Sequence, residues 1–159
     1  MNETQQLDDG SVGRKYGTTA IVFLSQIVFS VVLTVVAAVI IRGRSETEAA
    51  NVNITAIWVL IIFVAVGALL ARRFFYSWER LKNVKLLRGP DGLLQTLQTN
   101  AILLGAISEF VAILGFVITI MSGSVYDMVR AEAVALITFL INFPRKSVWS
   151  RIVESLRNT

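Results

Sequence analysis

Four stretches of this chain run for 18 to 22 residues with few or no charges. Ala20–Ile41 and Ile54–Ala71 carry none, Ala101–Met121 carries one, Glu109, and Val125–Phe143 carries Asp127, Arg130 and Glu132. A helix rises about 1.5 Å per residue, so about 20 apolar residues match the hydrocarbon core of a bilayer. A chain of 159 residues that is 55% hydrophobic and 16% charged departs from the soluble pattern in the same direction. The spacing therefore predicts an all-α integral membrane fold, a four-helix transmembrane bundle. The first run is longer than the apolar part of a cleaved secretory leader, and Asp8 and Asp9 precede it, so it reads as an uncleaved first span. The fourth is the weakest span, its charge-free part being 133–143, and the alternative for it is a half-buried interfacial helix.

Lys and Arg set the expected orientation. With both termini cytoplasmic, twelve of the fifteen basic residues lie inside and three, Arg42, Arg44 and Arg130, do not; the opposite topology inverts that bias. Tyr16, Tyr76, Trp78 and Trp149 then flank the inner surface, and Trp58 and Tyr126 the outer one. The layout is a polar cytoplasmic leader (1–17), one membrane domain (18–144) and a basic cytoplasmic tail (145–159). The net charge of +4 is explained by retention of cytoplasmic loops, with a contribution from anionic lipid, and calls for no nucleic-acid partner. A bacterial inner membrane is the expected location.

Residues 72–88 contain no Gly or Pro and carry Phe74, Trp78 and Leu81 at helical spacing. The second helix is expected to extend through them into the cytoplasm, as a solvated helix near headgroups or a docking surface for a soluble partner over 72–92. Arg88-Gly89-Pro90-Asp91 then forms a tight turn: Gly89 stops the helix, Pro90 cannot continue it, and Asp91 can cap the next one.

The third span holds the densest information. Ala101, Gly105, Ser108, Ala112, Gly115, Thr119 and Ser122 recur at steps of four and three, one helix face of small side chains. In lipid such a face lets backbones approach closely, so it predicts a tight seam within the bundle or between copies. Glu109 stands beside it. A charged carboxylate at that depth costs about 2.5–3.5 kcal/mol, so it must be protonated, paired or open to water. By helix rise, Glu109 sits about 12 Å above the inner end, Glu132 about 16 Å and Arg130 about 20 Å, within reach of a buried Glu109–Arg130 pair. Asp127 and Arg130, three residues apart, are expected to pair.

The chain has no Cys and no His, which removes thiol and imidazole catalysis and the common zinc sites. No phosphate-binding loop or metalloprotease motif is present. No metal, cofactor or enzymatic activity is expected.

Residues 88–123, from Arg88-Gly89-Pro90-Asp91 through Glu109 to Gly115, resemble the polar loop and carboxylate-bearing helix of the ring subunit c of rotary ATP synthases. The rest of the chain has no counterpart there, and its preceding helix carries Trp58 and Phe63 where that family is Gly-rich. The resemblance implies that Glu109 binds and releases a proton as a ring turns past a stator, and that Arg88 and Asp91 help contact the rotor stalk. Phe110 and Leu114 replace the hydroxyl groups of sodium-binding versions, which implies protons. The expected function is a small non-enzymatic subunit of an oligomeric membrane assembly, homomeric or heteromeric, with a c-like proton-carrying ring as its sharpest form. The alternatives are a structural tetraspan protein with Glu109 in a buried ion pair and, third, a small transporter or channel.

Overall fold

The computed structural model describes residues 9–43 and 54–157, all of them helical or in short connections. Five helices follow in order: α1 (Asp9–Arg42), α2 (Thr55–Phe75), α3 (Trp78–Ser122), α4 (Val125–Asn142) and α5 (Lys146–Arg157). Asp8 and Arg44 lie outside the described residues. Among the described residues, three helices, α1, α2 and α3, are long and apolar enough to cross a membrane; α4, with three charges, is not among them.

α1 starts at Asp9, so the second half of the expected polar leader is helical. Its cause is a continuous stripe: Val12, Thr19, Phe23, Ser30 and Ala37 are buried at spacings that keep one side of a helix on its neighbours. The tail is also more ordered in pattern than its charge implied. α5 is strongly amphipathic and turns Trp149, 1% exposed, into the bundle.

One expectation is corrected here. The second helix does not continue to Gly89; it ends at Phe75, and Ser77 takes an extended backbone (φ −64°, ψ 136°) before a new helix begins at Trp78. Ser favours that N-cap position, and the Leu81 N–H closes the first turn on the Ser77 carbonyl at 3.1 Å. The freed carbonyl of Phe75 accepts a 3.2 Å bond from Asn100 Nδ2, which meets part of the demand of a helix C-terminus.

α3 is two arms, 78–88 and 90–122, broken at Gly89 (φ 67°, ψ −175°). That left-handed backbone suits only glycine without strain, and Pro90 starts the second arm at a position where a missing N–H costs nothing. The chain reverses there: Leu81 on the first arm packs in one cluster with Leu93, Leu94 and Leu97 on the second. The long arm forms the centre of the bundle and touches α1, α2, α4 and α5; α1 and α2 do not meet.

The surface of the bundle is largely apolar. Ile21, Val28, Val59, Phe63 and Leu70 are all well exposed on α1 and α2, while Ser30, Ser108, Ala112 and Thr119 are fully buried. A water-soluble monomer does not expose so much contiguous apolar surface.

Candidate functional site

The small-residue face of α3 is used within the chain. Ala101, Gly105, Ser108, Ala112, Gly115 and Thr119 are buried, and Ser122 is half-buried at the end of the helix. A Cβ on Gly105 would collide with the Gln26 side chain and press on Phe23 of α1; one on Gly115 would collide with the Ala131 methyl of α4. The lower part of the stripe therefore seats α1 and the upper part α4. Its hydroxyls bond back to their own helix, Ser108 Oγ to the Leu104 carbonyl and Thr119 Oγ1 to the Gly115 carbonyl, both at 2.9 Å. They act as compact fillers and offer no polar path.

Glu109 sits on the flank of this seam and is half-buried. It takes part in no ion pair and no hydrogen bond among the described residues. The expected Glu109–Arg130 pair is not formed, nor is a pair between Asp127 and Arg130. The reason is the rotation of α4, which turns Asp127, Met128, Ala131 and Glu132 inward and leaves Arg130 exposed.

Glu132, 7% exposed, is taken into the bundle, as is Asp127 at the same exposure in the first turn of α4. The Ser30 hydroxyl of α1 lies 2.9 Å from Glu132 Oε1 and 2.9 Å from the Ile27 carbonyl oxygen, with Thr34 on the next turn beside the same carboxyl. Glu132 Oε2 has no partner, and one turn earlier on α1 the buried Gln26 Oε1 has none either. A hydroxyl has one hydrogen to give. The Ser30 hydroxyl therefore has two acceptors in reach, the Glu132 carboxyl and the Ile27 carbonyl, and shares its single hydrogen between them. No Lys or Arg faces this carboxyl through an ion pair among the described residues. The contact joins α1 to α4 through a buried carboxyl.

Sequence reasoning named Glu132 but missed its partner. The signal was present: Thr19, Phe23, Gln26, Ser30, Thr34 and Ala37 recur at steps of four and three along α1, and the polar ones among them mark its inward side.

At the turn, Gly89 provides the reversal, Arg88 is exposed, and Asp91 forms a 3.4 Å ion pair with Lys15 of α1. Leu86 and Leu87, at 72% and 85% exposure, protrude beside it. Pro90 is half-buried at the start of the long arm. No group of three or more metal-binding side chains occurs among the described residues. In comparison with known proteins, no family model, no curated protein and no solved structure matches this chain.

Proposed function

We propose that this chain is a small non-enzymatic subunit of a membrane assembly, inserted with both termini on the cytoplasmic side, in which Glu109 exchanges a proton with its surroundings. The observation that carries the reading is the setting of Glu109: a half-buried carboxyl partway along the long arm of α3, beside the helix seam, with no partner among the described residues. A carboxyl in that position is free to gain and lose a proton without breaking a salt bridge, which a carrier needs. The resemblance of residues 88–123 to ring subunit c points to the same residue. The use of the small-residue face inside the chain means that copies would meet through other, apolar surfaces of α1 and α2.

A second reading is supported by the contact of Ser30 with Glu132. In it the chain is a structural four-helix protein, and the buried acid serves to hold α1 against α4. A hydrophobic carbodiimide, applied to the full-length protein in vesicles, separates the two. Fast labelling of Glu109 that slows as pH rises, abolished by Glu109→Gln with the fold intact, is the outcome expected for the carrier. Labelling absent at Glu109, with assembly lost in Glu132→Ala and preserved in Glu109→Gln, would overturn it in favour of the structural role.

A further inference from the structure

The end of the bundle that carries Tyr16, Arg72 and Pro144 holds a second feature, independent of Glu109. The last turn of α2, the residues after α4 and the first turns of α5 enclose a cavity of about 180 Å3. Its polar lining is Arg72, Tyr76, Asn142, Arg145 and Trp149. Asn142 is 3% exposed, and neither its amide nitrogen nor its carbonyl oxygen has a partner. Trp149 is 1% exposed, and its indole N–H faces the Tyr76 side chain without closing a hydrogen bond. Buried donors left open in this way each cost free energy, and two of them line one small space.

The charge of that space is one-sided. Arg72 and Arg145 form no ion pair among the described residues, and no acidic side chain lines the cavity. Two guanidinium groups, an amide NH2, an indole N–H and a neutral phenol outnumber the available acceptors. Such a set is complementary to an oxyanion with several lone pairs, and phosphate geometry matches the guanidinium fork.

The surroundings select the source of the anion. The cavity is smaller than the roughly 300–1,000 Å3 of sites that enclose a whole small molecule, so it fits a headgroup better than a metabolite. Phe143, Val148 and Ile152 supply its apolar wall. Leu69, one turn before Arg72, and Leu140 and Ile141, just before Asn142, are exposed apolar side chains on which acyl chains can lie. Basic pockets between helices on the cytoplasmic side favour anionic headgroups.

We propose that this cavity binds the phosphate of an anionic phospholipid, with Arg72 and Arg145 as the charged clamp and Asn142 Nδ2 and Trp149 Nε1 as buried donors. The lipid completes the hydrogen bonding of the α2–α4–α5 junction and fixes α5 against the bundle. This rests on membrane insertion of the chain but not on proton exchange at Glu109.

The test is native mass spectrometry of the full-length protein in mild nonionic detergent with equimolar phosphatidylglycerol and phosphatidylcholine. Wild-type protein is expected to retain phosphatidylglycerol at least about tenfold over phosphatidylcholine. Arg72→Gln with Arg145→Gln should reduce the preference to near unity, whereas Lys146→Gln with Arg151→Gln, an equal loss of charge on α5, should leave it. Asn142→Leu keeps the bulk of the side chain and should weaken the preference several-fold, and it decides the matter if the double arginine variant does not fold. No preference in the wild type, or an equal loss from the α5 variant, would overturn the site. Displacement of phosphatidylglycerol by millimolar inorganic phosphate would overturn the lipid and leave a soluble-anion pocket. Entry of the protein into pure phosphatidylcholine discs reports insertion separately, whatever the cavity holds.

Discussion

At mid-height the helices meet through Gly105, Ser108, Ala112 and Gly115, with Ala131 and Met128 facing them from α4. At the basic end they meet through Val12, Leu81, Leu93, Leu94, Leu97 and Trp149. The exteriors differ as well. Around mid-height the outward residues are Val28, Ile62 and Phe63, whereas the basic end turns out Lys82, Arg88 and Arg151 beside the protruding Leu86 and Leu87. Large apolar side chains gain free energy by leaving water, about 1.5–3 kcal/mol each, and they gain nothing comparable by leaving lipid. There, close backbone approach and dispersion contacts hold helices together, and small residues permit both. The two interiors thus follow two packing regimes along one bundle, and they change over near Ala101, which belongs both to the small-residue face and to the large apolar cluster.

Substitutions should weigh differently in the two regions. The largest effect is expected from Trp149→Ala, which empties the centre of the basic-end core and removes the edge-on contact with Tyr16 at 5.9 Å. A cost of about 3–5 kcal/mol is expected, measured as reversible unfolding in mixed micelles. Phe63→Ala, at 74% exposure on α2, should change stability by less than about 0.5 kcal/mol in the same assay. Equal losses from the two aromatic truncations would mean that both regions are packed against water and would break the comparison.

Enlargement probes the seam from the other side. Gly115→Leu drives a side chain into Ala131 and should cost about 1–3 kcal/mol or more by forcing α4 away. The paired substitution Gly115→Leu with Met128→Ala, which empties a neighbour 3.7 Å from the added Cβ, should recover part of that loss. A neutral Gly115→Leu would show that the α3–α4 contact is loose.

Much of this division could be seen in the sequence, and the reasons differ by element. The four apolar runs and the steps of four and three on α3 are local patterns, so α1, α2, the long arm of α3, α4 and the small-residue face emerge from spacing alone. Gly89-Pro90 is a local stop with a backbone cause, and the chain does reverse there. What spacing does not contain is how far each helix is rotated about its axis when it docks. Arg130 and Glu132 are only two residues apart, and the rotation of α4 decides which of them enters the bundle. The link between Ser30 and Glu132 therefore remained out of view, although the polar steps along α1 mark Ser30 as inward. Trp149 shows the same limit in another form. An aromatic in a basic tail reads as an interfacial anchor, and only the fold of α5 over Tyr16 and Tyr76 makes it a core residue. The break at Ser77 had a weaker cue, a favoured N-cap followed by Glu79 in the first turn, which an uninterrupted helical spacing of apolar residues outweighed.

The smallest expected effect concerns the edge of the basic-end core, where a titratable group reports how dry that core is. Burial pushes the Tyr76 hydroxyl above its ordinary value of 10.0, against the lesser opposing influences of Trp149 and Arg72. With the folded value above the unfolded one, the folded state holds its proton longer. The contribution of Tyr76 to stability is therefore complete below about pH 10 and is lost as pH rises through the folded value. Between about pH 9 and about pH 11, wild-type stability should fall more steeply than that of Tyr76→Phe, which has no proton to lose. Parallel curves would mean that water reaches Tyr76 freely. The basic end would then be an interfacial layer, and the boundary between the two packing regimes would move up the bundle toward Gly105.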